Sequence, residues 1–223
     1  MINLKKNLFF IAIALLASFI IFSPSHAKAA ENIATIHSDD IAAEFKVNSA
    51  LKDDKINVVR VVSDKDNANT TPPKIMAGGT SAVKYDIRHV KKAPDYIGKT
   101  VVRKLNGEPG FKLKLNFTKD VTATTSATFG ATKKLISTSV GFTISKKYSV
   151  SYDGEYKVPS KVGKKKVKKV SIATYVVYAT KKYDVYKLTK VTWWGKHEFK
   201  KQGTGKAHKP YGFEYRKTFT YKK

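Results

Sequence analysis

The sequence has 223 residues, with 43 Lys and Arg against 17 Asp and Glu, a formal net charge of +26 and no cysteine. This length accommodates one or two domains, and the lack of cysteine excludes a disulfide scaffold and a thiol nucleophile. The positive charge weakens a compact fold by self-repulsion and favours contact with anionic lipid, a wall polymer such as teichoic acid, or nucleic acid.

The N-terminus has the pattern of a cleaved secretory signal peptide. Lys5 and Lys6 precede an uncharged apolar run over residues 8–22, and the small-residue sequence Ala27-Lys28-Ala29 follows. The run of 15 residues is shorter than the roughly 20 that a membrane-spanning helix needs. We therefore expect residues 1–29 to be removed and the mature protein to be secreted, extracellular or cell-wall associated, with an uncleaved anchor as the alternative.

Residues 30–110 are predicted to form a small α+β or irregular N-terminal region. They carry 13 basic and 11 acidic side chains, a net charge of only +2. A helix capped by Ser38, a strand over residues 55–62 and a polar loop over residues 64–73 are expected. A turn signal that ends at Gly110 coincides with a change in charge, and we predict a domain boundary there.

Residues 111–223 are predicted to form a basic antiparallel β domain. They carry 27 basic and 6 acidic side chains, a net charge of +21. Apolar and polar residues alternate almost throughout, as at Phe111, Leu113 and Leu115, which is the periodicity of a half-buried strand. The expected fold is mainly β: an elongated antiparallel β-sandwich or meander with the small α+β region at its N-terminus.

Residues 121–145 are depleted of charge. They contain Lys133 and Lys134 and no other charged residue, although 27% of the whole chain is charged. Two uncharged, two-faced segments joined by this pair suggest a β-hairpin, and a tilted transmembrane strand needs about 9–11 such residues. The residues assigned to this candidate membrane hairpin are Val121, Phe129, Lys133, Lys134, Ile136, Val140, Phe142 and Ile144.

An ordinary sandwich strand is the alternative for this segment. Alternating Ser/Thr-rich strands are common where one sheet face is wet, and two ammonium groups at a hairpin tip resist passage through lipid. A single hairpin would also leave backbone groups unpaired in hydrocarbon, so insertion would require a homo-oligomer.

The Ser/Thr-rich hairpin followed by "KKYSVSYDGEYKVPSKVGKKKVKKVSI" resembles the pore-forming half of aerolysin and epsilon-toxin-like β-pore-forming proteins. The resemblance covers about residues 111–190. It implies that residues 121–145 match the insertion hairpin of that family. The lysine pair stands where the family has an apolar tip, and residues 30–110 do not match a receptor-binding part.

Clustered lysines and a tryptophan pair are the candidate contact residues. K/R-rich runs bind phosphates, anionic headgroups or heparin-like chains, and an indole among lysines suits a membrane interface or sugar stacking. Because neighbouring strand residues point to opposite sides, at least one tryptophan is expected to be exposed. The anionic-surface residues are Lys161, Lys164, Lys165, Lys166, Lys168, Lys169, Lys200 and Lys201, and the interface aromatics are Trp193 and Trp194.

The sequence carries no motif of an enzyme, a metal site or a cofactor site. A G-x-S-x-G elbow, an H-E-x-x-H pair and a phosphate loop are all missing, and the basic half has only 6 acids. We therefore expect a non-enzymatic protein that adsorbs to anionic surfaces and acts on membranes through residues 121–145, in the manner of a pore-forming toxin or bacteriocin. The alternative is a non-lytic envelope protein that binds wall polymer, and nucleic acid is expected only as an incidental partner.

Overall fold

The computed structural model describes residues 32–37, 43–53, 55–63 and 84–223. The predicted signal peptide, the residues around Ser38 and the predicted loop at 64–73 lie outside these ranges. Within them the chain is mainly β, as predicted. The elements are β1 (Ile33–His37), α1 (Ala43–Lys52), β2 (Val58–Val62), β3 (Tyr85–Ile97), β4 (Arg103–Gly107), β5 (Lys112–Lys114), β6 (Phe117–Thr122), β7 (Thr124–Thr125), α2 (Lys133–Val140), β8 (Lys147–Tyr152), β9 (Glu155–Lys157), β10 (Lys161–Val162), β11 (Lys165–Val191) and β12 (His197–Tyr221).

The long antiparallel hairpin β11–β12 is the spine of the fold. Its strands pair from Val167 opposite Tyr221 to Val191 opposite His197, with four register shifts along the way. The alternation of β-branched and aromatic residues with polar residues explains why both segments are extended. The hairpin is flanked by β2 and β7 beside β12 and by β3, β4 and β10 beside β11, while β1 pairs in parallel with β2.

The large sheet crosses the boundary that the sequence predicts at Gly110. β3 and β4, which precede it, pair directly with β11, which follows it. The described residues between 32 and 223 belong to one compact unit and do not separate into the two predicted parts. Of the 27 basic residues after Gly110, 14 lie on β11 and β12, to which strands from before Gly110 are paired, so the change in charge along the chain does not mark a separate core.

Two smaller sheets cover one end of the spine. β5 pairs with β9 and β6 pairs with β8, and their apolar residues share a core with β2, β11 and β12. Tyr156, Leu115, Ile172 and Phe213 are fully buried in this core. A separate cluster around Ile136 joins α2 to β3 and to the middle of the hairpin.

A buried carboxylate ties β2 to β12. Glu214 is inaccessible to solvent, and its two oxygens accept from Arg60 Nε at 2.5 Å and from Arg216 Nη2 at 2.7 Å. Since a buried carboxylate is tolerated only with such partners, this arrangement fixes the pairing of the two strands.

The predicted β-hairpin over residues 121–145 is wrong for the structure described. Residues 133–140 form α2, whose N-cap Thr132 accepts from the amide of Leu135 and whose C-cap Gly141 has a left-handed φ of 78°. The spacing of Ile136 and Val140 by four residues explains the error, because it fits one face of a strand as well as one face of a helix. Gly141 is the helix-stop signal that distinguishes the two.

Candidate functional site

The outer end of the hairpin closes in a tight turn, which we call the hairpin tip (residues 192–196). The amide of Gly195 donates to Thr192 O at 2.9 Å, and the amide of Thr192 donates to Lys196 O at 2.8 Å. Gly195 has a φ of 81°, which glycine adopts at little cost. Three loop residues with glycine in the left-handed position form a standard hairpin connection, so the sequence T-W-W-G-K specifies this turn.

Both tryptophans of the sequence occupy this turn. Trp193 is 92% exposed and Trp194 is 62% exposed, and their rings meet edge to face at 5.0 Å. The expectation that strand geometry would send them to opposite sides is corrected, because neither residue lies in a strand. The turn holds both indoles in solvent at the end of the hairpin.

The residues next to the hairpin tip form a two-stranded ribbon. Lys190 pairs with Glu198 and Val191 pairs with His197. Among the described residues, the hydrogen bond from this side to the β3 edge is donated by Leu188 N to Lys84 O at 2.9 Å. In the part of the chain that the structure describes, no third strand pairs with residues 189–198. The tryptophans therefore stand beyond the part of the sheet that the structure describes.

Lysines surround the hairpin tip. Residues 187–201 contain five lysines and one glutamate, a net charge of +4. Lys190, Lys196 and Lys200 are exposed, and Lys187 of β11 lies directly opposite Lys200 of β12. Exposed indoles with exposed lysines close by in the chain combine an apolar anchor with attraction to negative charge.

Arginine stacking braces the root of the ribbon. The guanidinium of Arg88 lies over the rings of Tyr186 at 4.7 Å and Phe199 at 5.0 Å, and its Nε donates to Asp86 at 2.6 Å. These contacts join β3 to both strands of the hairpin. The contacts of Arg88 thus fix the inner end of the ribbon, while the hairpin tip at its outer end is exposed.

Asp184 anchors one of the predicted contact lysines. Its carboxylate accepts from Lys201 Nζ at 2.9 Å and from the Thr204 hydroxyl, and it contacts His89 Nδ1 at 3.0 Å. The hydrogen bonds from Lys201 and Thr204 hold the pKa of Asp184 well below its usual range. Lys200 and Lys201 point to opposite faces and are both exposed, but the ammonium group of Lys201 is paired with Asp184.

The structure divides the predicted anionic-surface residues between the two ends of β11. Lys200 and Lys201 lie near the tryptophans, and the other six lie at the opposite end of the strand. From Lys166 to Val191 the strand covers about 80 Å of contour, at roughly 3.3 Å per residue. We call the six exposed lysines the base cluster: Lys161, Lys164, Lys165, Lys166, Lys168 and Lys169.

Most of the apolar residues of the predicted membrane hairpin are buried or half-buried in the fold. Ile136, Val140 and Ile144 are buried in the cluster with α2. The other apolar members, Val121, Phe129 and Phe142, are half-buried or 40% exposed, and the Phe129 ring covers the backbone at Gly203. Lys133 and Lys134 lie in the first turn of α2, where Lys133 Nζ donates to Ser145 Oγ at 3.1 Å.

The chain matches no protein-family model and no curated protein sequence. No helix among the residues that the structure describes is long and apolar enough to cross a membrane.

Proposed function

We propose that the protein adsorbs to anionic membrane surfaces through the hairpin tip, outside the plasma membrane. The observation that carries the proposal is the exposure of Trp193 and Trp194 together at the end of a projecting ribbon. Exposed aromatic area is unfavourable in water, and indoles partition to the headgroup level of a bilayer. A surface in which two exposed tryptophans are flanked by lysines is complementary to an anionic membrane interface.

The lysines beside the hairpin tip supply the preference for negative charge. Each lysine near an anionic membrane adds about 1 kcal/mol of attraction, which falls off within a Debye length of about 8–10 Å at physiological salt. Lys196 lies in the turn itself and Lys190 lies opposite Glu198, close to the turn, whereas Lys200 is about 10 Å further along β12 from His197, at roughly 3.3 Å per residue. Adsorption should therefore weaken with salt without vanishing, because indole burial is independent of salt.

The proposal is limited to adsorption. Insertion of residues 121–145 into a membrane requires this segment to be a β-hairpin, whereas the structure has α2 within it. Secretion and the absence of catalysis are parts of the same proposal, supported by the signal-peptide pattern and by the lack of catalytic motifs in the sequence.

Co-sedimentation with vesicles tests the proposal. The mature chain should bind vesicles that contain phosphatidylglycerol and should bind pure phosphatidylcholine at least tenfold less, and the vesicles should retain an encapsulated dye. Equal binding to both lipids would remove the role of the lysines, and no binding to either in dilute buffer would overturn the proposal. Release of the dye would show that the protein permeabilises the membrane, and it would contradict the proposal that the protein only adsorbs.

A further inference from the structure

The base cluster differs chemically from the hairpin tip. β10 and β11 form a tight turn in which Lys161 lies directly opposite Lys166, and Val162 lies opposite Lys165. Lys168 and Lys169 follow on the same strand, and all are exposed. The base cluster thus consists of lysines alone, whereas the hairpin tip carries two tryptophans.

The arrangement of the base cluster is unfavourable for an isolated fold. Like charges directly opposite each other on paired strands are destabilising. In the part of the chain that is described, none of the six lysines forms an ion pair with a carboxylate, although Lys112 nearby pairs with Glu155 at 3.4 Å. Lys165 Nζ lies over the Tyr221 ring at 5.4 Å, which offsets part of the repulsion. Repulsion among the lysines is relieved further when several phosphates bind together, as they do along a polymer.

A groove of about 490 Å³ adjoins the base cluster. Phe111, which is 64% exposed, forms one wall, and Lys169 of the cluster forms another. Asn106 and Glu108 add amide and carboxylate groups, which bind hydroxyls. An exposed ring beside hydroxyl-binding groups and a lysine suits a polyol or sugar unit joined to a phosphate.

We propose that the base cluster and this groove bind a polymer of polyol or sugar phosphates, and that the protein thereby links the polymer to a membrane. The phosphates contact the lysines, and a hydroxylated unit lies against Phe111. Because residues 170–191 of β11, 22 residues of continuous strand, separate the base cluster from the hairpin tip, both can be occupied at once. The linking step depends on the proposed function of the tip, whereas binding of the polymer does not.

Polymer binding is tested first in solution, without vesicles. The probe is synthetic poly(glycerol phosphate), and the variant is Lys164→Glu, Lys165→Glu and Lys166→Glu together. The matched control is Lys190→Glu with Lys200→Glu and Lys196→Glu, which changes charge equally at the other end. The base variant should lose at least tenfold in affinity and the control less than threefold. Equal losses would mean that overall charge alone attracts the polymer, and they would overturn the proposal.

The groove is tested with Phe111→Ala and two polymers. Affinity for poly(glycerol phosphate) should fall several-fold, while affinity for inorganic polyphosphate, which has no hydroxylated unit, should be unchanged. If Phe111→Ala lowers the affinity for both polymers equally, or for neither, the groove is not part of the binding site. Duplex DNA that displaces poly(glycerol phosphate) at equal phosphate concentration would likewise overturn the preference for a polyol phosphate.

Linking is tested by recruitment of labelled poly(glycerol phosphate) to anionic vesicles. The native protein should recruit the polymer, and the base variant should bind vesicles but recruit none. A native protein that binds each ligand separately but never both would overturn the link. If vesicle binding alone fails, the function proposed for the tip is wrong, and the solution assay still decides the base cluster.

Discussion

Removing both indoles should sharply reduce membrane affinity. The change is Trp193→Ala with Trp194→Ala, which leaves Gly195 and the hydrogen bonds of the turn in place. A tryptophan side chain presents about 200 Å², so exposures of 92% and 62% place about 300 Å² of aromatic surface in water. If about half of this area leaves water at the headgroup level, roughly 25 cal/mol per Å² gives about 4 kcal/mol.

This free energy corresponds to a loss of about 100- to 1000-fold in affinity, since each 1.4 kcal/mol is tenfold. The assay is titration of phosphatidylglycerol vesicles at fixed salt, read by co-sedimentation. Phe111→Ala is the matched control, because it removes another exposed ring far from the hairpin tip. A double variant that binds within about threefold of the native protein, or a control that loses as much, would refute the reasoning.

Three further predictions concern stability, measured by urea unfolding. Asp184→Asn should lower the free energy of unfolding by roughly 1–2 kcal/mol at neutral pH, because the native carboxylate holds Lys201 and the Thr204 hydroxyl. The native pKa is depressed, so this difference should persist above pH about 4 and shrink as the pH falls below it. Glu214→Gln should lower the free energy of unfolding by roughly 2–4 kcal/mol, because it breaks the ion pair between the buried Glu214 carboxylate and Arg60, whose side chain is partly exposed. Lys134→Glu should stabilise α2 by roughly 0.3–1 kcal/mol, because a lysine opposes the helix dipole there.

Each stability prediction has an outcome that contradicts it. An Asp184→Asn difference that grows toward low pH would reverse the assigned direction of the pKa. A neutral Glu214→Gln would show that the pairing of β2 with β12 does not depend on the carboxylate. A destabilising Lys134→Glu would mean that residues 133–140 are not helical in solution.

The local sequence pattern predicts secondary structure correctly where it fits only one type of element. The alternation of apolar and polar residues correctly predicted a mainly β protein, because side chains of a strand alternate between faces. It failed at Ile136 and Val140, since a spacing of four is common to helix and strand. The cap residues Thr132 and Gly141 carry the information that decides between the two.

The hairpin tip was partly predictable. The pair Trp193-Trp194 was identified as a candidate interface, and Gly195 directly after it is the signal for a three-residue hairpin loop. Recognition of that turn would have predicted that both indoles are exposed. The separation of the lysines into two ends could not be predicted, because it depends on the length of the pairing between β11 and β12.

The pairing of distant strands was also beyond the reach of local patterns. β3 lies beside β11, which begins almost seventy residues after β3 ends. The register of such a pair is set by side chains from both strands and by the core that they share. For this reason a change in charge near Gly110 suggested a boundary that the sheet crosses.

Depth-dependent quenching of tryptophan fluorescence tests the central claim most directly. The sequence has two tryptophans, and both lie in the hairpin tip, so the native emission reports that site alone. On phosphatidylglycerol vesicles the emission should shift to the blue and be quenched by bromine atoms placed high on the acyl chains, less so by deeper ones. Full adsorption with an emission unchanged from that in water would show that another surface makes the contact and would contradict the account.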